Sequence, residues 1–318
     1  MHRPLKLFLL VLLAITVAAA SPAQTHEKAA ATADSNAAAT HAANLAESGH
    51  CQEALPLLAK SVTRVTDKEL QKRIGLDGVR CASSLQQDDQ ILDFLRILKR
   101  QFPTDPEVLY VLVHGYSDLS THAAQELART APASIPSLEL DAEANEMQGK
   151  WEEAEKDYRK ILQQNPKYPG IHFRLARIQL SRPNPGPDFK EVAKKELEEE
   201  LAIDPSNAGA EYILGELARQ AGDFPGAIGR FTKATQLDHG FADAYLGLGT
   251  SLLAEKKYAE AIPPLETAVK LQPANPLGHY NLATAYARTG RKEDAERQFA
   301  LHKEMSERAQ GPGAQPPQ

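Results

Sequence analysis

One residue pattern is written three times between residues 208 and 309, with its copies 34 residues apart. Each copy has a leucine followed by a small residue, then an alanine, then a large apolar side chain. The aligned columns are Leu214, Leu248 and Leu282; Gly215, Gly249 and Ala283; Ala227, Ala261 and Ala295; and Phe231, Leu265 and Phe299. Self-similarity at a fixed period of this length indicates stacked supersecondary units that share a continuous core.

Each copy is predicted to form two antiparallel helices. Alanine and leucine supply most of the apolar content of the chain, which is 42% hydrophobic but only 6% aromatic, and both residues favour helices. Gly222 and Gly290 fall between the two halves of their copies, where glycine ends a helix at low cost. Pro205 and Pro273 stop the second helix before the next copy begins. We therefore expect an all-α fold, an α-solenoid of antiparallel helix hairpins.

The pattern resembles the tetratricopeptide repeat (TPR) family. The clearest copy, 242–275, has Tyr245 and Gly249 in its first half and Tyr258 and Ala261 in its second half. The resemblance is strongest over 208–309, weaker over 135–207 and weakest over 40–134. It implies a TPR superhelix with about five clear repeats and up to three degenerate ones.

The repeat boundaries divide most of the chain. The clear repeats are expected at 135–168, 169–207, 208–241, 242–275 and 276–309. The second of them is longer because residues 183–187 insert Pro-Asn-Pro-Gly-Pro, which interrupts any helix and is placed in the loop between its two helices. Residues 40–134 are expected to form degenerate repeats, either TPR-like or of another helical fold, with hairpins at 40–60, 72–103 and 106–132.

Two flanking segments are expected to lack a fold. Residues 24–39 contain no large apolar side chain and cannot bury enough surface to offset the entropy of ordering, so we expect a flexible spacer. Residues 310–318 are rich in Pro, Gly and Gln, and we expect a disordered tail.

The first residues predict export. Arg3 and Lys6 precede an apolar run over 7–20 that ends in small residues. This run is shorter than the roughly 20 residues that a membrane-spanning helix needs. Residues 1–23 therefore predict a cleaved signal peptide, and the mature protein is expected to be periplasmic or secreted, with no stable membrane span. The alternative is an uncleaved apolar segment that anchors the protein.

Two cysteines, Cys51 and Cys81, are too few for a disulfide scaffold but sufficient for one bridge. They fall on helices that are packed neighbours if residues 40–134 form a TPR stack. An oxidising compartment would permit a disulfide, which would stabilise the fold by about 3–4 kcal/mol in the chain-entropy model. Two buried free thiols are the alternative.

The sequence indicates no chemistry of its own. A formal charge of −6 without a basic block argues against nucleic-acid binding. The chain contains no phosphate-binding loop, no His-Glu-x-x-His and no Gly-x-Ser-x-Gly, so we expect no catalytic residue, cofactor or metal site, and no enzyme. His172 and His279 fall in core columns of their repeats, where packing is the expected role. The charged run at 191–200 is expected to be the solvated face of a helix.

The TPR resemblance implies a binding surface, because first helices of such arrays line a concave groove. The positions carried over are Phe173, Arg177, Tyr212, Glu216, Arg219, Leu246, Thr250, Tyr280, Asn281, Thr284 and Arg288. Among them, Asn281 matches an asparagine with which some TPRs hold a peptide backbone. Leu246 and Thr250 occupy positions where the carboxylate-binding clamp of some co-chaperones needs Lys and Asn, which argues against a receptor of that kind.

These observations together predict a non-enzymatic protein–protein interaction scaffold of the cell envelope. It would bind a peptide or protein segment in the concave groove and support complex assembly. One alternative is an accessory subunit of a secretion or envelope-biogenesis enzyme complex, with 40–134 as a separate domain. Another is self-association, in which exposed end helices of one array stack on a second copy.

Overall fold

The computed structural model of the protein describes the backbone of residues 22–310 and the side chains of residues 33–308. Within residues 22–310 it contains fifteen helices and no strand, so the predicted all-α fold of helix hairpins is confirmed. The chain divides into two compact units, Met1–Arg129 (unit 1) and Thr130–Gln318 (unit 2). Among the described helices, none has both the length and the hydrophobicity to span a membrane.

Some of the sequence-based predictions lie outside the described residues. The predicted signal peptide, 1–23, does so except for Pro22 and Ala23, which begin the first helix. The predicted disordered tail, 310–318, does so except for Gln310, which ends the last helix.

The described residues of unit 1 form five helices around one hydrophobic core. They are α1 (Pro22–Glu47), α2 (Cys51–Ser61), α3 (Lys68–Ser84), α4 (Asp88–Gln101) and α5 (Pro106–Thr130). Helix α1 pairs with α2, and α3 pairs with α4, while α3 also packs against the first pair. Large apolar side chains of these helices, including Leu58, Ile74 and Phe94, are fully or almost fully buried between them.

The hairpin of α3 and α4 has the helix-to-helix contact of the regular repeats. A Cβ atom on Gly78 would lie 2.4 Å from Phe94 Cε1, and one on Gly215 would lie 2.8 Å from Phe231 Cε1. In both pairs the two residues are 16 positions apart. The large ring therefore packs directly on the glycine backbone in both units, although the sequence resemblance over 40–134 is weak.

The expected flexible spacer at 24–39 is wrong, because this segment is helical and belongs to α1. Alanine has the highest helix propensity of all residues, so a segment without large apolar side chains can still extend a helix. The C-terminal part of α1 is anchored by Ala39, Ala42 and Ala43, which are completely buried in the core of unit 1.

The expected hairpin at 106–132 is also wrong, because α5 is a single helix of 25 residues. Gly115 does not form a turn there: it is buried, and a Cβ atom on it would lie 2.9 Å from Leu95 Cδ1. Between Tyr116 and Ala124 the sequence has no glycine or proline that could end the helix.

Unit 2 contains five consecutive helix hairpins. Its helices are α6 (Ile135–Met147), α7 (Trp151–Gln164), α8 (Ile171–Ser181), α9 (Phe189–Ile203), α10 (Ala208–Gln220), α11 (Phe224–Leu237), α12 (Ala242–Ala254), α13 (Tyr258–Leu271), α14 (Pro276–Arg288) and α15 (Lys292–Gln310). Each helix packs against the next one along the chain. The five-residue insertion at 183–187 lies in the loop between α8 and α9.

The turns inside the hairpins share a left-handed residue. Gly149, Gly222 and Gly290 have φ angles of 70°, 80° and 82°, and Lys256 occupies the same place with φ 60°. A residue with a Cβ atom pays about 1–2 kcal/mol for this conformation, whereas glycine does not. Lys256 is therefore the strained member of the series.

We predict that Lys256→Gly increases the free energy of unfolding by about 0.5–1 kcal/mol, because the relief of strain exceeds the entropy that glycine adds to the unfolded chain. Gly222→Ala at the matching turn should lower it by about 1 kcal/mol, since no atom lies within 4 Å of the added Cβ and only the backbone is strained. Urea unfolding of both variants measures the two effects. A destabilised Lys256→Gly variant would contradict the prediction.

Cys51 and Cys81 form a disulfide, with their Cα atoms 5.0 Å apart. Cys51 is the first residue of α2, and Cys81 is a fully buried residue of α3. The bridge therefore links the second helix of one hairpin to the first helix of the next, at a sequence separation of 30 residues.

Reduction of this bridge is expected to lower the free energy of unfolding by about 3–4 kcal/mol, because the unfolded chain regains the entropy of an open loop. Urea unfolding with and without reductant should show that shift in the wild type. The double variant Cys51→Ala/Cys81→Ala should be insensitive to reductant. Equal midpoints for the wild type in both conditions would refute the contribution of the bridge.

Candidate functional site

The predicted groove positions lie on the first helices of four hairpins in unit 2, namely α8, α10, α12 and α14. Helix α10 packs beside α12, and α12 packs beside α14, so these helices form a layer of adjacent elements. On α10, Leu214 is buried in a cluster with α8 and α9, and Gly215 is buried against Phe231 of α11. Glu216 and Arg219 are only partly covered. The remaining faces of these helices are therefore available for contacts outside the core.

A buried carboxylate fixes the start of α8. Glu200 on α9 is 0% exposed, and its oxygens accept hydrogen bonds from Gly170 N at 2.8 Å and Phe173 N at 3.3 Å. Asn207 Nδ2 donates a third bond to Glu200 at 3.3 Å. The N-cap residue of α8 is a left-handed glycine without a side chain, so Glu200 supplies the acceptor and the negative charge that a helix N-terminus favours.

The prediction that the run at 191–200 is the solvated face of a helix is wrong for Glu200, which is buried. Ala193, Leu197 and Glu200 follow each other at helical spacing and are all buried. Glu196 is also largely covered and binds His172 Nδ1 at 2.6 Å. Other residues of the run, such as Lys194 and Glu199, are exposed as expected. In the sequence, Glu200 continues the helical spacing of the apolar residues Ala193 and Leu197, which indicates that it is buried. The charged residues around it obscure this pattern.

Ion pairs connect α8 and α9 to the preceding hairpin. Arg159 on α7 binds Glu155 at 3.0 Å and Glu196 at 3.3 Å, and Arg182 after α8 also binds Glu155. Burial alone raises the pKa of Glu155, but hydrogen bonds from Arg182 and Arg159 outweigh it, so the pKa lies below its usual value. This network holds the end of α8 where the inserted loop begins.

Helix α10 presents an aromatic edge next to an ion pair. The ring of Tyr212 lies 4.8 Å from the ring of Phe241 and 5.8 Å from that of Phe231, so it is partly a core residue. Burial and the nearby Glu216 carboxylate raise the pKa of Tyr212. One turn along the helix, Glu216 and Arg219 form an ion pair of 2.7 Å.

Helices α12 and α14 are joined through two of the predicted groove residues. Asn281 is 7% exposed, and its Nδ2 donates to Thr250 Oγ1 at 3.1 Å. Thr250 in turn donates to Leu246 O at 2.8 Å. The amide of Asn281 therefore fixes the spacing of the two helices. The amide of Asn281 has a second N–H that can donate to a peptide backbone, so this expected role stays a prediction.

The C-terminal hairpin leaves aromatic side chains exposed. Tyr280 is 48% exposed and packs on the edge of Phe299, with ring centroids 6.0 Å apart. Phe299 is 40% exposed, whereas Phe231 and Leu265 in the same column are fully buried. Close by in sequence, the guanidinium of Arg288 lies 5.8 Å from the ring of Tyr258.

The predicted groove residues do not all lie together. Phe173 contacts the start of α10, because a Cβ atom on Gly209 would lie 3.0 Å from Phe173 Cζ. Thr284 donates to Tyr280 O on α14. Arg177 instead lines a separate concavity of about 450 Å³ between α6, α7 and α8, together with Met147. Phe173 therefore adjoins the predicted positions on α10, whereas Arg177 lies apart from them.

One concavity of unit 2 was not expected from the sequence. A groove of about 550 Å³ lies between α9 and the hairpin of α10 and α11, with Leu214 and Ala218 in its lining and Lys190, Lys194 and Arg230 among its charged residues. Lys194 belongs to the charged run at 191–200, which the sequence predicts to be solvated, and Lys190 directly precedes that run. Elsewhere in the described residues, no group of three or more His, Cys, Asp or Glu side chains is placed to hold a metal ion.

Three family models, each described as tetratricopeptide repeat, match residues 142–178, 214–276 and 252–304. These intervals cover the columns that carry the 34-residue pattern, whereas residues 179–213, which include α9, lie outside them. The chain carries tetratricopeptide repeats over residues 142–178 and 214–304. The matched residues include parts of five helix hairpins, and the helix-to-helix contact of Gly215 with Phe231 lies within them.

Several solved structures are similar to part of this TPR protein. MamA is 22% identical, with a TM-score of 0.47, and the similarity covers 53% of this chain and 96% of MamA. MamA 41-end from Desulfovibrio magneticus RS-1 is 16% identical, with a TM-score of 0.48 and coverage of 56% and 97%. YrrB, a TPR protein with an unusual peptide-binding site, is 17% identical, with a TM-score of 0.48 and coverage of 57% and 92%.

No curated protein matches the sequence of this chain.

We predict that Glu200→Ala lowers the free energy of unfolding by about 2–3 kcal/mol, because it leaves buried N–H donors of α8 without an acceptor. Glu199→Ala, which changes an exposed neighbour, should change it by less than about 0.5 kcal/mol. Urea unfolding of both variants provides the measurement. Equal effects of the two substitutions would show that Glu200 does not fix α8.

Proposed function

We propose that unit 2 binds an extended segment of a partner protein across α10, α12 and α14, and that the protein is a non-enzymatic scaffold. TPR arrays are protein-interaction folds, since stacked hairpins create extended surfaces. The observation that supports this binding surface is the layer formed by α12 and α14. There Asn281 and Thr250 join the helices, while Tyr280 and Thr284 remain accessible beside them.

The chemistry of this layer suits a peptide. Aromatic side chains such as Tyr280 and Tyr212 offer large, rigid contact area for apolar residues. Hydroxyl and amide groups of Thr284 and Asn281 can exchange hydrogen bonds with a peptide backbone. The charged pair of Glu216 and Arg219 at one side can select polar side chains of the bound segment.

We place this scaffold in the cell envelope. The apolar run within residues 1–23 supports export, and the disulfide between Cys51 and Cys81 suits an oxidising compartment. Cell fractionation followed by N-terminal sequencing tests the location. A mature N-terminus near Gln24 in the envelope fraction is expected, and an intact N-terminus in the cytoplasmic fraction would overturn the export proposal.

Site-specific photo-crosslinking tests the binding surface. Tyr280→p-benzoylphenylalanine replaces one exposed aromatic side chain by another, so the fold should be retained. The matched control is Lys270→p-benzoylphenylalanine, which changes an exposed residue of α13, a second helix. With native cell-envelope extract, the Tyr280 variant should give a heterologous protein adduct that the Lys270 variant does not.

The adduct then supplies a peptide for direct measurement. Mass spectrometry of the crosslinked segment defines the bound sequence, and the synthetic peptide should bind the wild type. Thr284→Arg should weaken its binding at least about tenfold by filling the surface beside Tyr280, a loss of about 1.4 kcal/mol. Lys270→Ala should leave binding unchanged. Identical adducts from both crosslinker positions, or full binding by Thr284→Arg, would refute the proposed surface.

Self-association is the second candidate, favoured by the uncovered aromatic side chains at the C-terminal hairpin. If Tyr280 and Phe299 stack on a second copy, the Tyr280 crosslinker should give a homodimer, and Phe299→Glu should abolish it. Light scattering across protein concentration separates the two candidates. A mass that stays monomeric at all concentrations would exclude self-association.

A further inference from the structure

Unit 1 has its own concave surface, a groove of about 740 Å³ lined by α1, α3 and α5. These are the first helices of its two hairpins and the long helix that follows. The apolar part of the lining comes from Leu70 and Leu76 on α3 and from Val111 on α5, all three partly exposed. The groove belongs entirely to unit 1 and shares no residue with the surface on α10, α12 and α14.

The cationic side chains of this groove are already engaged. Lys72 binds Asp105 at 3.1 Å and Glu107 at 3.3 Å, and hydrogen bonds with these carboxylates raise the pKa of Lys72. Arg73 binds Glu47 at 2.8 Å. The groove therefore offers little cationic charge to a ligand.

Arg80, the remaining cationic side chain of the groove, binds Asp77 Oδ1 at 2.8 Å. On the acidic side, Glu69 lines the same groove and forms no ion pair with any described residue. The balance of unpaired groups in the groove is therefore negative.

Asp77 is the exceptional residue of the groove. It is 5% exposed, and its Oδ2 atom is buried without a hydrogen-bond partner among the described residues. Burial raises the pKa of Asp77, while the charge of Arg80 opposes this effect. A buried carboxylate oxygen without a donor is costly, and nearly all such atoms in proteins have a partner. A donor supplied by a bound molecule would remove this cost.

We propose that the unit 1 groove binds a partner segment through one lysine or arginine side chain that donates to Asp77 Oδ2. Glu69 adds a negative charge to the same groove. The apolar stem of the side chain and its apolar neighbours in the segment pack on Leu70, Leu76 and Val111, as the long stems of Lys and Arg commonly do. A charge-assisted hydrogen bond in a partly covered groove gives the selectivity for a cation over a neutral side chain.

The groove is tested with the full mature protein and its intact disulfide. The probes are acetylated and amidated decapeptide pools with a fixed central residue, Lys, Arg, norleucine or Glu, between randomised apolar and small residues. Fluorescence anisotropy should show the Lys and Arg pools binding at least about tenfold more tightly than the norleucine and Glu pools, and less tightly at high salt.

Two variants separate the proposed contact from general charge effects. Asp77→Asn keeps the size of the side chain and should weaken binding of the Lys and Arg pools by about 10- to 100-fold, the range for a lost charge-assisted hydrogen bond. Asp93→Asn is the matched control, because Asp93 lies on α4 outside the groove in an exposed pair with Arg96. It should bind like the wild type.

The proposal is overturned if the norleucine or Glu pool binds as well as the Lys pool, or if a folded Asp77→Asn variant keeps full affinity. Circular dichroism establishes folding. Should Asp77→Asn not fold, Glu69→Gln replaces it, and at least a threefold loss for the Lys pool is then required. Thr284→Arg in unit 2 should leave this binding unchanged, so the groove of unit 1 and the proposed function of unit 2 fail or succeed independently.

Discussion

The contact of a large side chain on the second helix with a glycine on the first holds three of the described hairpins together. Phe231 lies on Gly215, Leu265 lies on Gly249, and Phe94 lies on Gly78, each so closely that an added Cβ atom would collide. Such contacts bring the two backbones near each other and exclude voids, which is where core packing gains its dispersion energy. The stacking of hairpins, and hence every surface between first helices, depends on this closeness.

Where the regular contact is interrupted, polar groups replace it. The loop at 183–187 lengthens one hairpin, and here Glu200 caps α8 while Glu155 and Glu196 bind cations of neighbouring helices. The network positions α8 by directed hydrogen bonds, which need defined partners, instead of by shape alone. The same logic explains the pairing of Asn281 with Thr250, which joins two first helices across the layer proposed to bind a partner.

Much of the fold was predictable, and the failures have physical causes. The period of 34 residues and the left-handed turn position identify the hairpins of unit 2. In unit 1, α3 and α4 make the same contact between glycine and a large side chain, but the other columns of the repeat differ in sequence. Only the spacing of Gly78 and Phe94 indicates this contact. Residues 24–39 read as a spacer because bulk hydrophobicity carries no information about helix propensity. Residues 106–132 read as a hairpin, although no glycine or proline lies between Tyr116 and Ala124 to end the helix. The groove positions were transferred by analogy, and the structure places Arg177 apart from those on α10, α12 and α14.

The repeat period, the helical class and the sites of the turns can be derived from the amino-acid sequence, because they follow from local periodicity and from the backbone preferences of Gly and Pro. Which charged residues are buried, and what they contact, depends on the packing of the helices. Glu200 and Glu199 are identical in chemistry and adjacent in sequence, yet one caps a helix and the other faces solvent. Likewise Asp77 differs from other aspartates only through its position in the groove of unit 1. Such differences depend on side chains that are distant in sequence, and periodicity carries no information about them.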